Sequence, residues 1–285
     1  MTYALLDSGD GRKLERVGPY LLDRQAPAAI WKPRLPIGEW NRADAVHHRS
    51  DKGGGSWEFR TKLPEKWEAV WGGFTFIVKP TPFGHIGLFA EHAARWKSLA
   101  QSVSAATVRL GRPPDILNLF AYTGGATMAA SRAGASVCHV DAAKGVVDWA
   151  REHAARNSLG ERPIRWIVDD CSEYLAREAR RGRRYDGILF DPPSFGRGSR
   201  GEVWKIEDGI HTLLDLCVGV LNPDPAYVLF TCHTPGFTPT VLGELLAERI
   251  AGFPGQKTSG EMLIPEKTGR SLPSGSFAEW AQTGD

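Results

Sequence analysis

From about residue 113 onward, the sequence alternates between short apolar runs and longer segments of helical composition. The apolar runs lack the polar–apolar alternation of a strand with one solvent-facing side, so we expect both of their faces to be buried. Buried strands that alternate with helices predict a parallel, doubly wound α/β sheet. The predicted strands are Asp115–Phe120, Ser136–Asp141, Ile164–Val168, Tyr185–Asp191, Ala226–Thr231 and Gln256–Ile264.

Two further elements complete this α/β region, which we assign to residues 101–285. The clearest predicted helix is Ala142–Leu159, with Gly160 at the C-cap position that glycine favours. After a predicted loop at Pro265–Gly275, residues Ser276–Trp280 predict one last short strand. Such a terminal hairpin would add an antiparallel strand at the end of the sheet.

Residues 1–100 differ in composition, with many tryptophans and clusters of turn-forming residues. The stretch Ser50–Ser56 reads as a loop, and the short runs Trp57–Arg60 and Phe74–Val78 read as β-strands. Ala90–Ala100 has helical composition and leads into the next domain. These features predict a small β-rich N-terminal domain over residues 1–100, which would serve as a substrate platform or a lid.

Composition limits the partners and the cellular compartment of the chain. With a formal net charge of only +2, a nucleic-acid partner would need a local basic patch. No apolar run approaches the ~20 residues of a membrane span, and the first residues lack the pattern of a signal peptide, so we expect a cytoplasmic protein without a membrane partner. None of the four cysteines lies in a Cys-x-x-Cys pair, so neither a metal site nor a disulfide framework is expected.

Three features follow consecutive predicted strands at the sheet edge where such folds bind ligands. A turn with Gly124 and Gly125 follows the first strand and lets the backbone approach a ligand closely. Asp141 ends the second strand, where a carboxylate can accept hydrogen bonds from both hydroxyls of a ribose. Asp169 and Asp170 follow the third strand, where they could bind an adenine amino group; the alternative is that they only cap a helix.

The fourth predicted strand ends in the sequence Asp191-Pro192-Pro193-Ser194-Phe195. The two prolines remove two N–H donors and hold the backbone extended. Backbone carbonyl groups and the Asp191 carboxylate are then available to accept hydrogen bonds from an exocyclic amino group. Phe195 offers a face on which a flipped-out base can stack, a contact worth roughly 1–3 kcal/mol. We therefore predict that this loop forms the reaction end of the site.

The segment Asp115–Thr127, together with Asp191–Phe195, resembles the class I methyltransferases that depend on S-adenosylmethionine (SAM). Within them it is similar to the branch that contains the 23S rRNA cytosine-C5 and guanine-N7 methyltransferases. The resemblance covers residues 80–285 and implies a Rossmann-like seven-stranded sheet with an antiparallel last strand, SAM as the cofactor and RNA as the substrate. It implies SAM contacts at Asn118, Phe120, Tyr122, Thr123, Gly124, Asp141 and Asp169 or Asp170.

A second, shorter segment extends this resemblance. Pro82–His92 is similar to the family segment that closes over the SAM site, which adds Phe89 to the implied cofactor contacts. In this segment Glu91 stands where the family has an aspartate, and an arginine appears only at Arg95.

The residue Cys232, which follows the fifth predicted strand, bears on which atom is methylated. Enzymes that methylate cytosine C5 add a cysteine thiolate to C6, which makes C5 nucleophilic. The resembling cytosine enzymes carry a cysteine in this place, and His233 beside it could help to ionise it. If Cys232 is inert, a ring or amino nitrogen of a base such as guanine fits the Asp-Pro-Pro loop equally well, and catalysis is then mainly alignment.

Basic residues lie in two groups that could neutralise RNA phosphates. One comprises Arg177, Arg180, Arg181, Arg183 and Arg184, which could equally be a solvated helix face. The other comprises Arg197, Arg200 and Lys205, which would flank a ribosomal RNA substrate at the Asp-Pro-Pro loop. The alternatives are a methyltransferase for a small molecule or protein, a SAM-binding protein without activity, and a nicotinamide-dependent dehydrogenase. The last is disfavoured because no Gly-x-Gly-x-x-Gly motif is present. The oligomeric state stays open.

Overall fold

The computed structural model describes residues 2–50, 54–197 and 203–282. The chain divides into two compact units, the first comprising Met1–Ala93 with Met262–Ser274 and the second Ala94–Glu261 with Gly275–Asp285. The division into domains at residues 100 and 101 stays a prediction. Within the described ranges, no helix is both long enough and apolar enough to cross a membrane.

The first unit is rich in β-structure, as the sequence predicted. Its strands are β1 (Tyr3–Gly9), β2 (Arg12–Val17), β3 (Tyr20–Gln25), β4 (Ala45–Arg49), β5 (Gly55–Phe59), β6 (Trp67–Trp71) and β7 (Phe74–Val78). Its helices are α1 (Ile37–Trp40) and a one-turn 3-10 helix at Ala90–His92. Among the described residues, β1 to β5 form one sheet in chain order, and β6 pairs with β7 in a separate antiparallel hairpin.

Buried charge, and not only apolar packing, holds this unit together. The guanidinium of Arg24 binds both carboxylate oxygens of Glu15, at 2.7 and 3.0 Å, and Tyr3 donates a hydrogen bond of 2.6 Å to the same carboxylate. Burial works to raise the pKa of Glu15, but the nearby charges of Arg24 and Lys13 outweigh it and lower the pKa to about 2. A buried carboxylate of this kind must keep its partners, because an unpaired buried charge is strongly destabilising.

The second unit contains the remaining elements. They are α2 (Ala93–Leu110), β8 (Asp115–Leu119), α3 (Gly125–Arg132), β9 (Ser136–Asp141), α4 (Lys144–Arg156), β10 (Ile164–Val168), α5 (Cys171–Arg180), β11 (Gly187–Phe190), β12 (Phe195–Arg197), β13 (Val203–Lys205), α6 (Ile206–Gly219), β14 (Tyr227–Cys232), α7 (Pro239–Ile250), β15 (Gln256–Pro265) and β16 (Ser271–Ala281). The last two strands are shared, because Met262–Ser274 belongs to the first unit.

The main sheet has the strand order β10-β9-β8-β11-β14-β16-β15 across the described residues. The strands from β10 to β14 are parallel, and β16 runs antiparallel to β14. The predicted fold class, a Rossmann-like doubly wound sheet of seven strands with a small β-rich N-terminal region, is confirmed. Because the strand order reverses between β8 and β11, a crevice for a ligand is expected at the carboxyl ends of these strands.

Several element boundaries differ from the sequence prediction. Helix α4 ends at Arg156, with Asn157 as its C-cap, so the prediction of Gly160 in that role was wrong. Asn157 makes the cap because its side-chain amide donates a hydrogen bond of 2.8 Å to the carbonyl of His153 in the last turn. The predicted last strand, residues 276–280, is the second half of the longer β16, which begins at Ser271 inside the predicted loop.

We expect the Glu15→Gln substitution to destabilise the first unit strongly, by roughly 3–5 kcal/mol, because it leaves Arg24 buried beside a neutral side chain. The pKa of Glu15 lies below its ordinary value of 4.5. The folding stability that this carboxylate contributes is therefore fully present above pH 4.5. It amounts to about 3 kcal/mol and is lost as the pH falls towards about 2. Urea unfolding followed by tryptophan fluorescence at neutral and acidic pH measures both effects.

The exposed Glu58, which pairs with Arg60 at 2.8 Å, provides the matched control. Glu58→Gln should leave the urea midpoint almost unchanged, because exposed ion pairs contribute little. Equal urea midpoints for the two variants would show that the Glu15–Arg24 pair does not hold the unit together.

Candidate active site

The loop after β8 adopts a strained conformation at the predicted cofactor edge. Phe120 and Tyr122 have positive φ angles of 52° and 48°, and Gly124 has a φ of 84° as the N-cap of α3. Positive φ costs energy for residues other than glycine, and such strain is concentrated at functional sites. A side chain at position 125 is also disfavoured, since its Cβ would lie 2.5 Å from the ring of Trp96. The strained loop and the lack of side chains at Gly124 and Gly125 fit a site where backbone approaches a ligand.

Asp141, the last residue of β9, connects this loop to its neighbours. Its Oδ2 accepts a hydrogen bond of 2.9 Å from the backbone N–H of Tyr122, and its Oδ1 accepts one of 3.0 Å from Ala143. Burial raises the pKa of Asp141, while these two N–H groups act to lower it. Each carboxylate oxygen has a second lone pair, so the side chain can still accept hydrogen bonds from the two hydroxyls of a ribose.

Two of the predicted cofactor contacts, Asn118 and Thr123, lie buried behind the loop. Asn118 is 4% exposed, and its amide donates a hydrogen bond of 2.9 Å to the hydroxyl of Thr127. The carbonyl of Thr123 lies 2.9 Å from Nδ1 of the buried His153. In this structure both residues therefore support the loop from inside, and any contact with SAM by Asn118 or Thr123 stays a prediction.

Two buried histidines, which the sequence analysis missed, support the loop and the helix α3 that follows it. His139 lies on β9 with its Nδ1 2.9 Å from the Thr127 hydroxyl, and burial lowers its pKa to about 3, so it is neutral. His153 comes from α4 and, as described above, contacts the carbonyl of Thr123. Histidines inside predicted strands and helices gave no pattern from which this role could have been read.

The structure gives Asp169 and Asp170 other partners. Asp170 is the N-cap of α5, where its Oδ1 accepts hydrogen bonds of 2.9 and 3.0 Å from the N–H groups of Ser172 and Glu173. Asp169 forms an ion pair with Arg177. The helix-cap alternative therefore describes Asp170 in this structure. A contact between adenine and either aspartate stays a prediction.

Phe89 belongs to the first unit, at the N-cap of the 3-10 helix. Its segment is fastened by side chains of that unit, since Arg24 donates a hydrogen bond of 2.9 Å to the carbonyl of Gly84 and Trp71 donates one of 2.8 Å to the carbonyl of Ala90. The predicted role of Phe89 toward SAM stays a prediction.

The Asp-Pro-Pro loop is held by residues that follow it in the chain. The indole N–H of Trp204 donates a hydrogen bond of 2.9 Å to the carbonyl of Pro193. The hydroxyl of Ser194 lies 2.6 Å from the hydroxyl of Thr234, which follows β14. The Trp204 ring packs so closely on Gly209 that a Cβ there would lie 2.1 Å from it. Trp204 was not identified from the sequence; the only available signal was a tryptophan close to the loop.

The side chains of this loop combine an acid with an exposed aromatic ring. Asp191 is partly buried, and its Oδ2 lies 3.7 Å from Nε2 of His233. Pro192 is buried and Pro193 is exposed. Phe195 is 54% exposed, which is unusual for a phenylalanine and is what a base-stacking surface requires. The structure thus brings Asp191, Pro192, Pro193 and Phe195 together on one loop at the carboxyl end of β11.

Cys232 is the last residue of β14 and is only 1% exposed. Its sulfur accepts a hydrogen bond of 3.4 Å from the backbone N–H of Thr234. Burial raises the pKa of the Cys232 thiol; the bonds from Thr234 oppose this shift, and the nearby charge of Asp191 adds to it. The surroundings of Cys232 therefore favour the thiol over the thiolate.

Four of the predicted basic residues have partners within the second unit. Arg177 pairs with Asp169, Arg181 with Glu178 and Arg183 with Asp115, and Arg184 binds the carbonyl of Gly219. Lys205 is exposed at the end of β13 and opposite Phe195 in the β12–β13 register. Arg197 ends β12, and Arg200 lies outside the described residues.

Comparison with known proteins agrees with the resemblance to SAM-dependent methyltransferases that the sequence showed. The sequence model of the family described as S-adenosylmethionine-dependent methyltransferase matches residues 41–249. The crystal structure of a SAM-dependent methyltransferase from Agrobacterium tumefaciens superposes with a TM-score of 0.91 at 37% sequence identity. That similarity covers 99% of this chain and 91% of the other.

Curated relatives include proteins named ribosomal RNA large subunit methyltransferase K/L. The one from Methylococcus capsulatus is 38% identical over 162 residues, which cover 56% of this chain and 21% of the relative. The one from Alteromonas mediterranea is 34% identical over 167 residues, covering 58% of this chain and 22% of the relative. The matched segment thus spans about a fifth of the length of these relatives. From the family match and the fold, we conclude that the chain belongs to the S-adenosylmethionine-dependent methyltransferases.

Proposed function

We propose that this chain transfers the SAM methyl group to a base of ribosomal RNA, at a guanine nitrogen and not at cytosine C5. The observation that carries the proposal is the loop Asp191–Phe195, where an exposed aromatic ring adjoins an acid and a fixed proline backbone. The names of the curated relatives support ribosomal RNA as the substrate class. A ribosomal substrate is compatible with the predicted cytoplasmic location.

The residues at the ends of β8 and β9 would hold the cofactor. SAM supplies an electrophilic methyl group on a positively charged sulfur. Asp141 would accept hydrogen bonds from the ribose hydroxyls, for which it has unused lone pairs. The strained loop from Phe120 to Gly124 would present backbone to the rest of the cofactor, with His153 contacting the carbonyl of Thr123 from behind. Tight support of this loop fixes the position from which the methyl group is transferred.

The Asp-Pro-Pro loop would hold the substrate base. Phe195 would stack on one face of the flipped base, and Asp191 would accept a hydrogen bond from its amino group. His233 lies beside this carboxylate, with its Nε2 3.7 Å from Oδ2 of Asp191. Transfer to a nitrogen lone pair needs no covalent intermediate, so alignment and the electrostatics of Asp191 supply the rate enhancement.

Burial of Cys232 is the reason to prefer nitrogen over C5. Attack on C6 of a cytosine requires a thiolate that reaches the base. Cys232 is almost completely buried, its pKa is raised by that burial, and its sulfur already accepts a backbone hydrogen bond. The burial and the raised pKa both disfavour a nucleophile, and the hydrogen bond from Thr234, which acts in the opposite direction, does not outweigh them.

The first prediction concerns the methylated atom. With radiolabelled SAM and unmodified ribosomal RNA, we expect label in a methylguanosine, and Cys232→Ala should retain most of the activity because the thiol is not used. Nucleoside analysis of the digested RNA identifies the product. Label in 5-methylcytidine, lost in Cys232→Ala, would instead support the covalent route. Transfer to small molecules or proteins alone would contradict the RNA substrate.

The second prediction concerns the cofactor. Asp141→Ala should weaken SAM binding by roughly 1–3 kcal/mol, about 5- to 150-fold, because hydrogen bonds to a charged acceptor are lost. Isothermal titration calorimetry measures the affinity. Asp148→Ala is the matched control, since the side chain of Asp148 on α4 is 44% exposed and pairs with Lys144 and Arg151 of the same helix. SAM affinity that is the same in both variants would remove Asp141 from the site.

The third prediction concerns Trp204 as a positioning residue. Trp204→Phe keeps an aromatic ring but removes the N–H that holds the carbonyl of Pro193. We expect kcat to fall roughly 10- to 100-fold, because small misplacements of reacting groups cost rates of this order, while SAM affinity stays unchanged. Trp31→Phe, which removes an indole hydrogen bond to the carbonyl of Ser8, is the control. A parallel loss of SAM affinity in Trp204→Phe would indicate only a general structural role.

A further inference from the structure

A cavity of about 330 Å³ opens at the amino ends of β8, β9 and β10, within the second unit. Asp115, Ser136 and Ile164, the first residues of these three strands, lie in its wall. The strands are five or six residues long, so at about 3.3 Å per residue the cavity lies roughly 15 Å from the proposed cofactor end. A ligand in this cavity would therefore be distinct from the methylated base and from SAM.

The rim of the cavity carries an excess of positive charge. Arg162, Arg165 and Arg183 line it together with a single carboxylate, Asp115. Nη2 of Arg183 binds Oδ2 of Asp115 at 2.9 Å, which neutralises that pair. Within the part of the chain that the structure describes, neither Arg162 nor Arg165 forms an ion pair, and both residues are exposed. Two guanidinium groups thus line the cavity without an ion-pair partner among the described residues.

The floor of the cavity is formed by buried side chains, among them Tyr185, Cys138 and Ile116, and offers apolar surface instead of free polar atoms. The hydroxyl of Tyr185 donates a hydrogen bond of 2.7 Å to the buried carboxylate of Glu178 and lies 3.0 Å from the hydroxyl of Tyr174. That second hydroxyl lies 3.0 Å from the sulfur of Cys138. Because these groups satisfy one another, Tyr185 and Cys138 leave the floor suited to a planar, weakly polar group.

The arginines at the rim and the floor below them suit different parts of one ligand. Guanidinium groups bind phosphate with two parallel hydrogen bonds and stack on planar rings. The volume is at the lower end of the range for small-ligand pockets, roughly 300–1,000 Å³. We propose that this cavity binds one phosphate-bearing nucleotide unit, with Arg162 and Arg165 on the phosphate and the base on the floor. The unit comes from a free nucleotide or, if the proposed function holds, from the substrate RNA.

Binding measurements without SAM test the proposal on the full chain. The double variant Arg162→Gln/Arg165→Gln removes both guanidinium groups. It should bind the cavity's ligand, whether AMP or a short single-stranded RNA, about tenfold or more weakly than wild type. For RNA, the slope of log affinity against log salt should also fall by roughly 0.7 for each lost phosphate contact. The control variant, Arg151→Gln with Arg180→Gln, removes the same charge from exposed positions of α4 and α5 outside the cavity and should bind like wild type.

The two ligands distinguish the two sources of the nucleotide. AMP affinity that is lost only in the cavity variant shows a site for a free nucleotide. RNA affinity that is lost only in that variant, with no AMP binding, shows a second contact with the substrate. Equal effects of the cavity and control variants on both ligands, with unchanged thermal midpoints, overturn the proposal. Because binding is measured without methyl transfer, a failure of the proposed function would be seen separately, as unlabelled RNA.

Discussion

The architecture of the crevice depends on one partly buried carboxylate, that of Asp141. Its two oxygens accept hydrogen bonds from Tyr122 in the loop after β8 and from Ala143 at the start of α4. Its backbone carbonyl accepts one of 3.1 Å from Asp169, which follows β10. A single residue thus connects the carboxyl ends of three parallel strands. A carboxylate can do this and still accept further hydrogen bonds, because it has about four lone-pair sites.

The two ends of the proposed reaction are held in different ways. The cofactor loop and the start of α3 are supported by two buried histidines, His153 of α4 at the carbonyl of Thr123 and His139 of β9 at the hydroxyl of Thr127; burial lowers the pKa of His139 to about 3. The Asp-Pro-Pro loop is held from outside by Trp204 and by Thr234, which come from later in the chain. Such support from surrounding residues is what keeps reacting groups within the small tolerances that alignment requires.

The sequence predicted the parallel sheet because its strands are buried on both faces and read as plain apolar runs. It also placed Asp141 and the Asp-Pro-Pro loop at the carboxyl ends of strands, where such folds bind ligands, and the structure has them there. Their roles in the site stay predictions. The first strands of the chain went unpredicted because buried charges such as Glu15 and Arg24 break the alternating pattern. The N-cap role of Asp170 remained one of two alternatives, since a cap and a ligand contact need the same residue type at the same place.

Strands β15 and β16 affect the order in which the protein folds during synthesis. Residues 262–274 belong to the same compact unit as residues 1–93. Glu266 in this segment accepts a hydrogen bond of 2.5 Å from the hydroxyl of Ser8, and Arg270 donates one of 3.0 Å to the carbonyl of Lys32. On the ribosome, where N-terminal domains usually fold first, the first unit must wait for these contacts until the chain that forms most of the second unit has emerged.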